Sequence, residues 1–173
     1  MKLFRKNKQH GFGLIEVLVA LLVLAIGVLG YAAMQLTALK ASEDANNRAQ
    51  ASLLAQGALE SFSANEVAMA TYMDVDNWPE DGVAPGAGLG SLKDCIDSFC
   101  DAAAMADWDI EVLAWQAANL LPGGMIAVDD CQHAAATSCV SVSWNEQTPG
   151  DCLTNTGVNT DQDSSCVVME VAR

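Results

Sequence analysis

One carboxylate, Glu16, stands near the start of an apolar run from Leu14 to Leu39 in which Gln35 and Thr37 are the other clearly polar residues. An acid held near the middle of a bilayer costs about 2.5 to 3.5 kcal/mol, so such a group usually has a partner and a task. The second reactive set is Cys95, Cys100, Cys131, Cys139, Cys152 and Cys166, all in the C-terminal half of the chain. An even number confined to the part that would be exported points to disulfides formed in an oxidising compartment. Zinc is the competing reading, but no pair has the C-x2-C spacing and the cysteines are scattered through polar loops. Sequence does not fix the connectivity; proximity suggests Cys131 with Cys139 and Cys152 with Cys166. The oxygen-rich run Asn155 to Asp163 and the shorter Asp74-Val75-Asp76-Asn77 lack the EF-hand spacing with its distal Glu, so both read as solvated loops rather than calcium sites. His133 lies between two cysteines without a nucleophile or acid to complete a catalytic set. No catalytic residue, metal or cofactor is therefore expected, and the chain does not read as an enzyme.

These groups need elements to hold them. Lys2, Arg5, Lys6 and Lys8 precede Gly11 while every acid follows it, leaving Lys40, Arg48, Lys93 and Arg173 against 22 acids in the rest of the chain. So acidic a surface repels phosphate backbones and excludes general nucleic-acid binding. A basic leader followed by more than the roughly 20 apolar residues needed to span a bilayer describes a membrane helix, N-terminus cytoplasmic and C-terminus outside. A secretory signal peptide is the plain alternative, but the run is too long and no good A-x-A site closes it. The chain accordingly divides into a leader over residues 1–11, an apolar helix over 12–39 and an exported domain over 40–173.

Residues 41–64 contain no Pro and are rich in Ala, Leu, Glu and Gln, so the helix is expected to continue into the domain as its spine. Ala45, Ala49 and Leu53, with Leu54, Ala58 and Phe62, form the expected buried stripe, and Glu43, Asp44, Asn47 and Arg48 the opposite face. Gly27 and Gly30 mark points of bending or of close helix packing. Residues 74–94 read as a loop. A second helix is expected over 101–121, with Met105, Trp108, Val112 and Trp115 as its core face, ended by Pro122-Gly123-Gly124. Beyond it the pattern has period two: Met125 to Val128, Val140 to Trp144 and Val167 to Val171 read as three antiparallel strands with one buried face. The fold class is α+β, a small disulfide-bonded antiparallel sheet packed on a long N-terminal helix.

The stretch Gly11-Phe12-Gly13-Leu14-Ile15-Glu16-Val17 resembles the class III signal of type IV prepilins. The resemblance implies a type IV pilin-like fold, cleavage by prepilin peptidase between Gly11 and Phe12, N-methylation of Phe12, and an assembly role for Glu16, fifth residue of the mature chain. It also implies assembly with other pilins by inner-membrane machinery. Gly13 stands where Thr is commoner, and Ala33 where many major pilins carry a kinking Pro, which favours a minor subunit: other minor pilins and the major pilin would be its partners. Under this reading His10 leaves with the leader. Cleavage would create an α-ammonium on Phe12 one helical turn from Glu16. Pairing the two, within one subunit or between neighbours, offsets desolvation and fixes axial register, because no water competes in hydrocarbon. A minor pilin that initiates or caps a pilus is thus the expected function, with a tip adhesin and a minor pseudopilin of type II secretion as alternatives.

Overall fold

A computed structural model describes residues 13–86, 88, 95, 98–131, 136–161 and 163–172. The chain divides into two compact units at Glu43 and Asp44. Helix α1 runs over Leu14–Ala64. In the first unit its large apolar side chains from Leu14 to Leu39 are 50–80% exposed, and no residue of its most apolar window is buried. It is long and apolar enough to cross a membrane.

In the second unit, α1 ends in a 3-10 turn over Glu66–Ala68, followed by the single-turn helix α2 over Met69–Tyr72 and a further 3-10 turn over Val75–Asn77. Helix α3 spans Ala102–Leu120, started by the Asp101 carboxylate, which accepts the Ala104 amide at 2.9 Å. The chain then reverses at Leu121 to Gly124, where only glycine fits. Gly123 has φ +63°, and a Cβ on Gly124 would lie 2.1 Å from the Ala117 carbonyl oxygen.

Three strands follow, β1 over Met125–Asp130, β2 over Thr137–Ser143 and β5 over Cys166–Ala172, in the antiparallel order β1-β2-β5. Between β2 and β5 lie a 3-10 turn over Pro149–Cys152 and a two-residue hairpin, β3 (Leu153–Thr154) with β4 (Gly157–Val158). The sheet turns Ile126, Val128, Val140, Val142 and Trp144 into one core with α1, α3, Tyr72 and Trp78. The fold is that of a long N-terminal helix carrying a small disulfide-bonded antiparallel sheet.

Two helix faces differ from expectation. On α1 the buried residues are Asn47, Ala51, Leu54, Ala55, Ala58 and Phe62, whereas Leu53 is 67% exposed and Ala45 and Ala49 face solvent. On α3 the buried face is Ala106, Ile110, Leu113, Ala114, Ala117 and Ala118, while Met105, Trp108, Val112 and Trp115 are half-buried beside it. The reason is common to both. At the fully buried positions of both helices, Ala51, Ala55, Ala58, Ala106 and Ala117, a small side chain fits the packed core, and the bulkier stripe falls to its margin.

Candidate processing and assembly site

Gly11 and Phe12, where cleavage and methylation are expected, lie outside the described residues, as do His10 and His133. Glu16 is described. It sits in the first turn of α1, where a negative charge faces the positive end of the helix dipole. Its Oε2 accepts the Gly13 amide at 3.2 Å, and the Glu16 amide donates to the Gly13 carbonyl at 3.0 Å. This pair of bonds satisfies two orphan donors of the helix start, the Gly13 amide through the carboxylate as in a capping box and the Glu16 amide through the Gly13 carbonyl. A carboxylate offers about four lone-pair positions, so one amide leaves ample capacity for an ammonium donor. Among the described residues Oε1 has no partner. Around Glu16 the surface is uniformly apolar: Leu14 is 80% exposed and Ile15 68%. A contiguous apolar surface of this length is that of a membrane segment or a helix-packing core.

The second unit is stabilised by three disulfides. Cys95 is bonded to Cys100, Cys131 to Cys139 and Cys152 to Cys166, with Cα separations of 5.6, 5.2 and 5.5 Å, and no cysteine is free. The second joins Cys131, just past the end of β1, to Cys139 inside β2; the third ties the turn at Pro149–Cys152 to the start of β5. Around 155–163, Thr154 and Asn159 bond within the hairpin and to the turn before it. Thr154 Oγ1 donates to the Gly157 carbonyl, Asn159 Nδ2 donates to the Asp151 carbonyl, and Asn159 Oδ1 accepts the Asp161 amide. Among the described residues no group of three His, Cys, Asp or Glu side chains could hold a metal ion. At the turn before this hairpin Asp151 accepts the Thr148 amide and hydroxyl, each at 2.8 Å, and these bonds hold its carboxyl below the usual carboxylate range.

Two polar clusters were not legible in the sequence. Arg48, expected on the solvent face, sends Nε to Asp44 Oδ2 at 3.0 Å and Nη2 to the Ser164 carbonyl at 2.6 Å, and its guanidinium lies 5.5 Å from the centre of the Trp144 ring. It fastens the segment before β5 to α1. At the C-terminal end of α1, the buried Tyr72 hydroxyl donates to Asp109 Oδ2 at 2.5 Å, while Asn65 Nδ2 donates to the Ala102 carbonyl at 2.8 Å. Burial first, and then the bond to the Asp109 carboxylate, push the Tyr72 hydroxyl well above its ordinary pKa. Cluster members so far apart in sequence could be found only from their contacts; no local period signals them.

Residues 6–32 match the prokaryotic N-terminal methylation motif, and residues 33–111 match a Tt1218-like family described as type IV pilin Tt1218. No curated protein and no solved structure matches the chain. The motif implies processing by prepilin peptidase and assembly into pili with other pilins, and with the apolar helix it suggests membrane anchoring. The two family matches, taken with a long apolar N-terminal helix carrying a small disulfide-bonded sheet, support a type IV pilin.

Proposed function

We propose that this chain is a minor pilin that initiates assembly of type IV pili or caps them. It is anchored in the inner membrane by a single pass, N-terminus cytoplasmic, until it is incorporated at the pilus tip, and it supports piliation, twitching motility and adhesion. Its partners are other minor pilins, the major pilin, prepilin peptidase and the inner-membrane assembly machinery. The observation that carries this reading is the lone carboxylate in the first turn of α1, at the start of the otherwise uncharged stretch Leu14 to Leu39 and inside the matched methylation motif. The run Leu14 to Gly27, with Leu121-Pro122-Gly123-Gly124 after α3, resembles the minor pilin PilV, and the absence of Pro from α1 supports a minor rather than a major subunit.

The chemistry follows from the residues in order. Cleavage between Gly11 and Phe12 removes the four leader cations and leaves an ammonium, then methylated, on Phe12. Glu16 accepts the Gly13 amide through Oε2, and its remaining acceptor positions would receive that amine or a neighbour's. Apolar packing supplies most of the association energy, and the ion pair selects the stagger. Glu16→Ala is expected to leave membrane insertion and cleavage intact and to remove the chain from sheared pili. N-terminal sequencing of the sheared fraction from wild type and from a prepilin-peptidase mutant tests the whole reading. Uncleaved protein confined to the inner membrane in wild type would refute it.

A tip-adhesin role is favoured by one observation, Phe99, which is 95% exposed just before Cys100 in the first disulfide loop. Deletion that leaves pili normal but abolishes attachment would select that role, and secretion-system neighbours in the genome would select the pseudopilin.

A further inference from the structure

The three-stranded sheet has two edges, and they are treated differently. Beside β1 runs the segment 75–83: Val75, Trp78, Pro79 and Glu80 line one cleft with Ala127, Val128 and Asp129, and a Cβ on Gly82 would meet Met125 Cγ at 3.0 Å. Beside β5, among the described residues, there is no strand. Which of its backbone groups face outward follows from the ladder. The Trp144 amide donates to the Ser165 carbonyl at 3.1 Å, and the Cys131 amide donates to the Thr137 carbonyl at 3.2 Å. Antiparallel pairs alternate between bonded and non-bonded along a register. The bonded β2–β5 pairs are therefore Val142 with Val167, Val140 with Met169 and Ser138 with Val171. Cys166, Val168 and Ala172 fall at the non-bonded positions, so their N–H and C=O groups point away from β2.

Exposed sheet edges are commonly guarded by lysine, proline, a bulge or shortness. The strand Cys166–Ala172 has none of these. It is seven residues long, pairs with β2 without a bulge, and carries one charged side chain, Glu170. Such an edge is a template for an added strand. A second copy is a poor occupant, because the unit holding β5 contains all the acids but Glu16 and Glu43, against Arg48, Lys93 and Arg173.

We propose that the outer edge of β5 receives an extended segment of a different pilin subunit, uncharged or basic along the paired stretch. This inference rests on the pilus reading above. In it the apolar helix brings the chain into the filament and the sheet edge chooses a neighbour.

The test uses the full-length chain in piliated cells, with a photo-crosslinking residue at Ala172. The expected result is a crosslink to a different pilin in the sheared fraction, lost in Val168→Pro and kept in Val168→Ala. Proline at 168 deletes an outward N–H without touching a β2–β5 bond. A crosslink only to a second copy, or none while the chain is present in sheared pili, overturns the edge proposal and leaves the pilin reading standing. Absence of the chain from pili overturns both. If Val168→Pro fails to fold, amide exchange on the unmodified chain decides. The Val168 and Ala172 amides should exchange about tenfold or more slowly in pili than in detergent-solubilised subunit. Equal rates refute the proposal.

Discussion

Arg48→Ala should destabilise the second unit by about 2 to 4 kcal/mol, and the partition of that loss among three contacts is itself a prediction. A hydrogen bond from a charged donor contributes about 1.5 to 3 kcal/mol, and Arg48 Nη2 gives one to the Ser164 carbonyl. Stacking on the Trp144 ring contributes about 0.5 to 1 kcal/mol. The pair with Asp44 is the most visible contact and the weakest: both side chains are about half exposed, 42% and 50%, and such pairs contribute about 0.2 to 1 kcal/mol. Asp44→Ala should therefore cost a small fraction of Arg48→Ala. Arg48→Lys should recover only a minor part, since one ammonium cannot reach a carbonyl and also lie flat on an indole. The assay is urea unfolding of the full-length chain in detergent, disulfides intact, followed by tryptophan near-UV circular dichroism. Added salt should erase the Asp44 increment and leave the remainder. An Asp44→Ala loss equal to that of Arg48→Ala would refute the assignment of the Ser164 carbonyl as the main partner.

Tyr72→Phe should cost about 1.5 to 3 kcal/mol in the same assay, because the lost acceptor is a carboxylate. The fold binds the Tyr72 proton more tightly than the unfolded chain does, so its contribution is full below pH 10.0 and declines as pH rises beyond it; Tyr72→Phe should flatten that alkaline slope. Gly124→Ala should cost about 3 kcal/mol or more, since its Cβ meets backbone at 2.1 Å, whereas Gly57→Ala meets nothing within 4 Å and should stabilise by about 0.5 to 1 kcal/mol; thermal melts of the two variants give the comparison. Replacing Cys152 and Cys166 together by serine opens a closure of sequence separation 14 and should cost about 3 kcal/mol in urea unfolding, more than opening the closure of separation 5 at Cys95 and Cys100.

The two long helices and the three long strands were legible because each carries a sustained period, and the turn at Pro122-Gly123-Gly124 because its residues admit little else; the single-turn α2 was not. Glu16 was legible as a charge out of place. The choice of buried face was not. Leu53 and Trp115 are large enough to dominate any apolar pattern, yet the fully buried positions of these two helices include Ala51, Ala55, Ala58, Ala106 and Ala117, whose small side chains carry little weight in such a pattern. Nor could sequence show that Arg48 would reach Ser164 or that Tyr72 would reach Asp109, since each joins elements brought together only by the tertiary fold. The β3–β4 hairpin escaped because two-residue strands carry no period.

All three disulfides close short spans, with sequence separations of 5, 8 and 14, and none has an end on α1. A load entering the subunit along that helix thus meets no covalent stop before the rest of the domain. It would fall on the seam where Ala51, Ala55, Ala58 and Phe62 enter the core and on the Arg48 contacts. Reducing agents should soften the loops and the sheet margin while leaving the yield force of that seam largely unchanged.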